Sequence, residues 1–285
     1  MNSRLGKRLR WRRATTGELE TISGRLERWP SPAGGAARHM FALSAIESFG
    51  AEPLRIAADD ERWAVAVVFP GRLMVPCGDA DAIRSAAPPA RRWRLLVGDV
   101  EAGDAMLDRT GVDDGLIVHD QRFMTVEHDL VPDAAELADP GQRRAEPADV
   151  DRLADLAVRL HVDDRFGPHP GRVGWRGYRA RLETTVQQGL VYCVGPVGSP
   201  VVKLERSVSS RRFGVQLAGI VADPSVRGQG VARGAVAAAV RAALAEGPRD
   251  RAVSLHVRAD NTTAIATYQA AGFLDREAWR LAVRG

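Results

Sequence analysis

Leu19, Ile22 and Leu26, and again Val150, Leu153 and Ala157, recur every three to four positions behind a short polar turn, which predicts an amphipathic helix in each place. In the first half of the chain helical spacing covers 17–27, 38–49, 79–86 and 103–109. Strand-like runs cover 54–57, 63–69, 72–76, 93–97 and 124–129, with Pro70-Gly71 as a hairpin turn. Nearer the C-terminus the pattern predicts a helix over 230–246, a strand over 252–257 and a helix over 261–270. Residues 4–13 read as a strand, with Leu5, Leu9 and Trp11 partly inward and arginines outward.

The two amphipathic helices open alike. Arg13-Ala14-Thr15-Thr16-Gly17-Glu18-Leu19 matches Arg144-Ala145-Glu146-Pro147-Ala148-Asp149-Val150 as strand, capped turn and helix. An internal repeat implies a tandem architecture, and 285 residues suffice for two cores. Residues 132–142, rich in Ala, Asp and Pro, mark the boundary: a first domain over 1–135, a linker over 136–141 and a second domain over 142–285.

Composition narrows the classes. Hydrophobic content of 45% with 27% charged residues describes a soluble globular chain. No apolar run approaches the ~20 residues of a membrane span, and no apolar signal core stands at the N-terminus. Cys77 and Cys193 form neither a disulfide framework nor a metal spacing, so a reduced, cytoplasmic protein without metal or membrane partner is expected. The net charge is +4, and arginine far outnumbers lysine, which occurs only as Lys7 and Lys203. The basic run 4–13 would suit nucleic acid or an acidic partner, but its alternation favours the strand, and nucleic acid is not the expected partner.

The run from Val221 to Ala232 carries the most chemistry. A β-branched strand ends at Pro224, a basic Gly-rich turn follows, and an Ala-rich helix begins at once. Gly228 and Gly230 let backbone N–H groups approach an anion with no Cβ in the way, and the first turn of the helix adds free N–H groups and a positive dipole end. A Walker A loop does not fit, because no Lys-Ser/Thr pair follows the glycines. A dinucleotide fingerprint fails at its third glycine, where Arg233 stands, although Gly234 is one place on and Asp260 could hold a ribose.

The spacing Arg-x-x-Gly-x-Ala, from Arg227 through Gly230 to Ala232, resembles the acetyl-CoA loop of the GNAT superfamily of N-acetyltransferases. At the right distance follows Asn261-Thr262-Thr263-Ala264-Ile265-Ala266-Thr267-Tyr268-Gln269-Ala270-Ala271-Gly272-Phe273, which resembles the GNAT signature Asn-x-x-Ala-x-x-x-Tyr-x-x-x-Gly-Phe at every signature position. The resemblance covers roughly 142–285. It implies an α/β (α+β) GNAT fold, with a central mixed, mostly antiparallel sheet flanked by helices. The first half contains neither motif. It is similar to the N-terminal portion of two-domain bacterial GNAT proteins and is read as a degenerate GNAT-like domain, with an unrelated α/β domain as the alternative.

What the resemblance implies for residues is specific. Ile220, Val221, Arg227, Gly228, Gln229, Gly230, Val231, Ala232, Arg233 and Asn261 would contact acetyl-CoA, and Asn261 or Thr262 also suits a helix cap. Tyr268 would be the general acid that protonates the departing coenzyme A thiolate. His256 is the candidate base: it points away from the face of Leu255 and Val257, and GNAT enzymes that acetylate protein N-termini can carry an acid twelve residues before the tyrosine. An imidazole with an ordinary pKa of ~6.5 suits that task, while a packed sheet-face histidine is the alternative. Glu205 and Gln216 are lesser candidates.

In the loop 160–172, His161, Asp163, Asp164 and His169 match no compact zinc spacing and read as loop residues. Arg165, Phe166, Trp175 and Tyr178 either line an acceptor pocket or pin the loop. The resulting expectation is an acetyl-CoA-dependent N-acetyltransferase acting on a primary amine by direct attack in a ternary complex, with a backbone N–H near Ile220-Val221 polarising the thioester. A non-catalytic acyl-CoA-binding regulatory module and a basic RNA- or protein-binding module are the alternatives.

Overall fold

A computed structural model of the chain describes residues 8–90, 92–111, 115–132, 140–248 and 251–284. Two compact units emerge: Met1–Arg122 with Arg276–Gly285, and Phe123–Asp275. This division differs from the one drawn on composition. The linker placed at 136–141 lies mostly outside the described residues, and the last ten residues belong to the first unit.

The first unit runs β1 (Arg12–Arg13), α1 (Leu19–Glu27), α2 (Gly35–Arg38), α3 (Met40–Phe49), β2 (Leu54–Ala58), β3 (Trp63–Val68), β4 (Leu73–Gly78), α4 (Ala80–Ser85), β5 (Leu95–Asp99) and α5 (Val100–Thr110). β6 (Leu116–Val126) leads from it into the second unit. There follow β7 (Gln142–Arg144), α6 (Val150–Asp163), α7 (Gly171–Gln187), β8 (Val191–Val194), β9 (Val202–Ser210), β10 (Gly214–Ala222), α8 (Val231–Ala245), β11 (Ala252–Arg258), α9 (Thr262–Gln269) and β12 (Leu274–Arg284). The polar residues His119 to Arg122 interrupt the apolar run of β6, which is why the pattern located only its end.

Each unit thus repeats strand, helices, three antiparallel strands, helix, parallel strand and helix. In the first, β1 pairs with β2, β2 with β3 and β3 with β4, all antiparallel, and β4 with β5 in parallel. In the second, β7 pairs with β8, β8 with β9 and β9 with β10, all antiparallel, and β10 with β11 in parallel. The far neighbour of β5 is β12, antiparallel through Trp279↔Asp99, while β11 has β6 beside it. The sheets are therefore mixed and mostly antiparallel.

The sequence repeat has an atomic counterpart. Arg12 and Glu18 are ion-paired, and the Thr15 N–H donates to Glu18 Oε2 at 2.8 Å. Six residues apart in the same way, Arg143 grips Asp149 at 2.7 and 2.8 Å, and the Glu146 N–H donates to Asp149 Oδ2 at 2.7 Å. Both are capping boxes that turn an edge strand into the first helix. Asp149 is fully buried and also accepts from the Gly198 N–H at 2.8 Å, so one carboxylate ties three segments together and is held down at a pKa of about 2. At the start of the chain Leu9 is buried, Trp11 half-buried, and Arg8, Arg10, Arg12 and Arg13 exposed, but of the strand expected over 4–13 only Arg12–Arg13 forms among the described residues; Leu5 lies outside them.

The second core joins α8 and α9 to β9, β10 and β11 through residues such as Leu204, Val215, Leu217, Val236, Val240, Val253, Leu255 and Phe273. Alanines 235, 237, 239 and 243 bring the α8 backbone close to the sheet, while Leu153, Leu156, Leu182 and Val186 of α6 and α7 form a separate cluster with β8. No helix among the described residues is long and apolar enough to cross a membrane.

Candidate active site

β10 and β11 run in register only from Gly214 and Ala252 to Leu217 and Leu255. Past that point β10 also slips against β9, between Ala218 and Val221, around Gly219 at φ +60°. A glycine inside a strand is the sequence mark of such a bulge. Here it is needed: a Cβ on Gly219 would lie 2.7 Å from Lys203 Nζ and 3.0 Å from Glu205 Oε1. Lys203 is 1% exposed, donates to the Gly219 carbonyl at 3.0 Å and pairs with Glu205, which Arg181 of α7 holds at 2.6 and 3.0 Å. Burial pushes the Lys203 ammonium down, whereas its two cationic partners keep Glu205 ionised at about 2 despite burial. The main chain of Gly219 and Ile220, past the end of the β11 register and inside the bulge before pairing with β9 resumes at Val221, is thus held by the Lys203–Glu205 pair.

The phosphate-loop residues follow directly. Asp223 Oδ1 accepts from the Ser225 N–H at 3.0 Å and from its hydroxyl at 2.7 Å, which starts a 3-10 turn over Pro224–Val226. Gly228 and Gly230 adopt φ of +75° and +78°, and Gly230 is the N-cap of α8. A Cβ on Gly228 would meet nothing within 4 Å, and one on Gly230 only Arg233 Nη2 at 3.7 Å. Both are glycine for their backbone conformation, and their peptide groups lie on open surface ahead of the helix N-terminus. Arg227 is tied back, donating to the Ala222 carbonyl at 3.1 Å and to Asp163 at 2.8 Å, and Gln229 donates to the Ser225 carbonyl at 2.8 Å. These two side chains shape the loop. Val231 and Ala232 are half-buried in the first turn of α8, Arg233 is exposed, Val221 is buried, and Ile220 packs partly on the core.

Across the cleft, Asn261 Oδ1 accepts from the Ala264 N–H at 3.1 Å and caps α9. Gly272 ends that helix at φ +94°, where a Cβ would come within 2.2 Å of the Leu130 carbonyl oxygen. Phe273 is buried against the Tyr268 ring, with centroids 6.2 Å apart. Tyr268 is 7% exposed, and among the described residues its hydroxyl makes no hydrogen bond to the protein. Burial, with the Asp164 charge nearby, pushes its phenol well above the ordinary range, so it is a proton donor throughout neutral pH.

His256 is placed differently from what its candidate role requires. Gln216 Nε2 lies 3.2 Å from its Nδ1, Phe123 packs on its ring at 5.0 Å, and burial pulls its pKa down to about 3. An imidazole so far below neutral pH is a poor proton acceptor, which returns His256 to its packed alternative. Glu205, locked in its ion pairs, is no better. The carboxyl whose pKa rises is Asp164, to about 6, through burial and the like charges of Asp163 and Asp260 against the opposing pull of Arg258. Arg258 and Asp260 come from a distant part of the sequence, so only the bare Asp163-Asp164 pair was there to be seen.

Side chains of the loop, α6 and α7 pin the chain here. Tyr178 donates its hydroxyl to His161 Nδ1 at 2.9 Å, and His161 Nε2 bonds the Pro168 carbonyl at 3.1 Å. Trp175 donates to Asp155 at 2.8 Å, and Phe166 packs edge-on to His161. Among the described residues no group of His, Cys, Asp and Glu could hold a metal ion. The first unit differs at the equivalent place. After β4, Gly78 has Trp63 O within 2.7 Å of its Cβ position, and Asp79 accepts from the Trp63 N–H at 2.7 Å. The β4–β5 register is short, and Arg38 makes ion pairs to Asp99, at the end of β5, and to Glu277 at 3.1 and 2.8 Å.

The family model described as Acetyltransferase (GNAT) family matches residues 174–273. Among solved structures, a Drosophila protein is similar over 98% of this chain and 99% of its own, with a TM-score of 0.60 and 12% identity. A GCN5-related N-acetyltransferase from Sphaerobacter thermophilus is 15% identical, with a TM-score of 0.58 over 98% of this chain and 96% of that one. An acetyltransferase from the GNAT family of Colwellia psychrerythraea is 10% identical, with a TM-score of 0.52 over 96% and 99%. At these identities the likeness is one of fold. A search of curated proteins gave no match.

Proposed function

We propose, from the match of residues 174–273 to the acetyltransferase (GNAT) family model, that the chain transfers the acetyl group of acetyl-CoA to a primary amine by direct attack within a ternary complex. One observation carries the reading: the bare Gly228–Gly230 turn and the α8 N-terminus stand at the mouth opened where β10 parts from β11. The peptide groups of Gly228 to Ala232 receive the pyrophosphate, with the helix dipole favouring its charge. The diverging end of β10 gives the pantetheine arm main-chain partners, and the braced bulge at Gly219-Ile220 offers an N–H to the thioester oxygen. Such preorganised donors are worth most where charge develops during reaction.

Tyr268 donates its phenolic proton to the sulfur as the C–S bond breaks. Its hydroxyl is uncommitted among the described residues, and its raised pKa keeps the proton in place until a strongly basic thiolate forms. Asn261 caps α9 and so fixes the helix on which Tyr268 is presented.

Calorimetric titration with coenzyme A, paired with thiol release from acetyl-CoA in the presence of amines, tests this reading. Saturable binding and amine-dependent release are expected. Absence of coenzyme A binding would refute the cradle; binding without transfer would support the acyl-CoA-binding regulatory module instead.

A further inference from the structure

α6 ends in an unusual way for a helix that only packs. It places two carboxylates, Asp163 and Asp164, at the C-terminus of a 14-residue helix, where the negative end of the dipole disfavours them. The Asp164 N–H bonds the Leu160 carbonyl at 2.8 Å, Arg165 then turns left-handed at φ +55°, and the Phe166 N–H closes on the His161 carbonyl at 3.0 Å. The reversal is tied to both lips of the cleft. The Asp163 carboxylate bonds Arg227 after β10 at 2.8 Å, and the Asp163 carbonyl accepts from Arg258 Nη1 at the end of β11 at 3.0 Å. Arg165 reaches Asp260 at 3.3 Å, and Arg258 Nε also holds Asp260, at 2.8 Å.

Asp164 therefore stands where the two strands have parted, half-buried, with Tyr268 of α9 near enough for its phenol to feel the carboxylate. The charged and titratable groups around it are Asp163 on α6, Arg258 on β11, Asp260 after β11 and Tyr268 on α9. The one cation among them, Arg258, is engaged by Asp260 and the Asp163 carbonyl. Among the described residues the Asp164 carboxylate itself has no hydrogen bond or ion pair. A half-buried carboxylate that no protein cation binds, at the point where two strands part, can accept hydrogen bonds from a cationic ligand entering there.

We propose that Asp164 is the acceptor-side catalytic residue, which binds the incoming primary ammonium and takes its first proton. This inference rests on the acetyltransferase reading of the same cleft. Asp164 accepts one proton from the ammonium and later releases it to water. The free amine forms the new N–C bond, the C–S bond breaks, and the thiolate takes the Tyr268 proton. The second amine proton, lost as the amide forms, restores the Tyr268 phenol. One amine, one thioester and no redox partner account for every atom.

The test uses the full chain and its Asp164→Asn and Asp164→Glu variants, with acetyl-CoA as donor and glycinamide as acceptor. Glycinamide is chosen because an α-amine, with a pKa of ~8, gives its proton to a carboxylate more readily than a lysine side chain at ~10.4. Asp164→Asn is expected to keep acetyl-CoA affinity within about threefold while lowering kcat/KM for the amine by ~10²-fold or more, the usual scale of positioned proton transfer. The wild-type fall in kcat/KM toward acid pH should also lose the component set by Asp164 in that variant, and Asp164→Glu should recover part of the rate. Transfer by Asp164→Asn within about threefold of wild type, or a matching loss of acetyl-CoA binding, would overturn the assignment while leaving acetyl transfer standing. A wild-type chain that transfers acetyl to neither glycinamide nor lysine amide would overturn the underlying reading, and this one with it.

Discussion

Asp164→Asn should make the protein more stable at the pH where it makes it less active. The Asp164 carboxyl is raised from an ordinary 3.8 to about 6 in the folded chain, chiefly by burial. A carboxyl raised on folding stabilises the native state while it is protonated, below its unfolded pKa, and that contribution is lost as pH rises through the folded pKa. At pH 8 the native carboxylate therefore costs up to ~3 kcal/mol, about two pKa steps at ~1.4 kcal/mol each. At pH 5 the native form is already mostly protonated, and the cost falls to ~1.6 kcal/mol. Asparagine has the same shape and no charge to desolvate, so it should recover most of this. Urea unfolding followed by circular dichroism at pH 8 and pH 5 measures the difference. The expected outcome is a variant more stable by ~2–3 kcal/mol at pH 8, with the gain roughly halved at pH 5. A variant that is less stable at pH 8, or whose gain grows toward acid, would refute the picture of an unpartnered carboxylate held in the cleft at an energetic cost.

Other perturbations separate the roles of neighbouring residues. Tyr268→Phe keeps the ring packed on Phe273 and removes only the proton, so turnover should fall ~10²-fold while coenzyme A affinity, read by calorimetry, stays within about threefold. Gly230→Val forces a β-branched residue to φ +78°, which costs ~1–2 kcal/mol, and covers the exposed peptide groups at the α8 N-terminus; coenzyme A affinity should drop at least tenfold in a chain that still unfolds cooperatively. Asp149→Ala leaves Arg143 and the N–H groups of Glu146 and Gly198 without their acceptor and should destabilise by ~3–5 kcal/mol in urea unfolding. The Asp149 pKa is lowered to about 2, so its contribution is present above ~4 and fades as pH falls through about 2. The variant and wild type should converge in strong acid.

The elements were largely legible in the chain because each follows from a local rule. The spacing of Leu19, Ile22 and Leu26 gave α1, the matching capped turns after Arg13 and Arg144 gave the repeat, and Gly272 gave the end of α9. The glycines of the α8 turn were equally readable, since only glycine holds positive φ at no cost, and their spacing before an Ala-rich helix announces exposed N–H groups. What chain order could not provide is the company a side chain keeps. His256 looked like a base because its strand alternation is local, yet Gln216 and Phe123, 40 and 133 positions away, bury it and pull its pKa to about 3. Asp164 looked like an ordinary loop residue, yet the ends of β10 and β11 and the phenol of α9 converge on it. Only the tertiary structure assigned β12 to the first sheet and β6 to the side of β11, because strand partnership is settled by long-range hydrogen bonding and burial. Sequence alone determined that a strand–turn–helix opening occurs twice in this chain and that one glycine cradle follows the second copy. Desolvation and charge, which exist only once distant residues meet, decided which groups beside that cradle can hold or give up a proton.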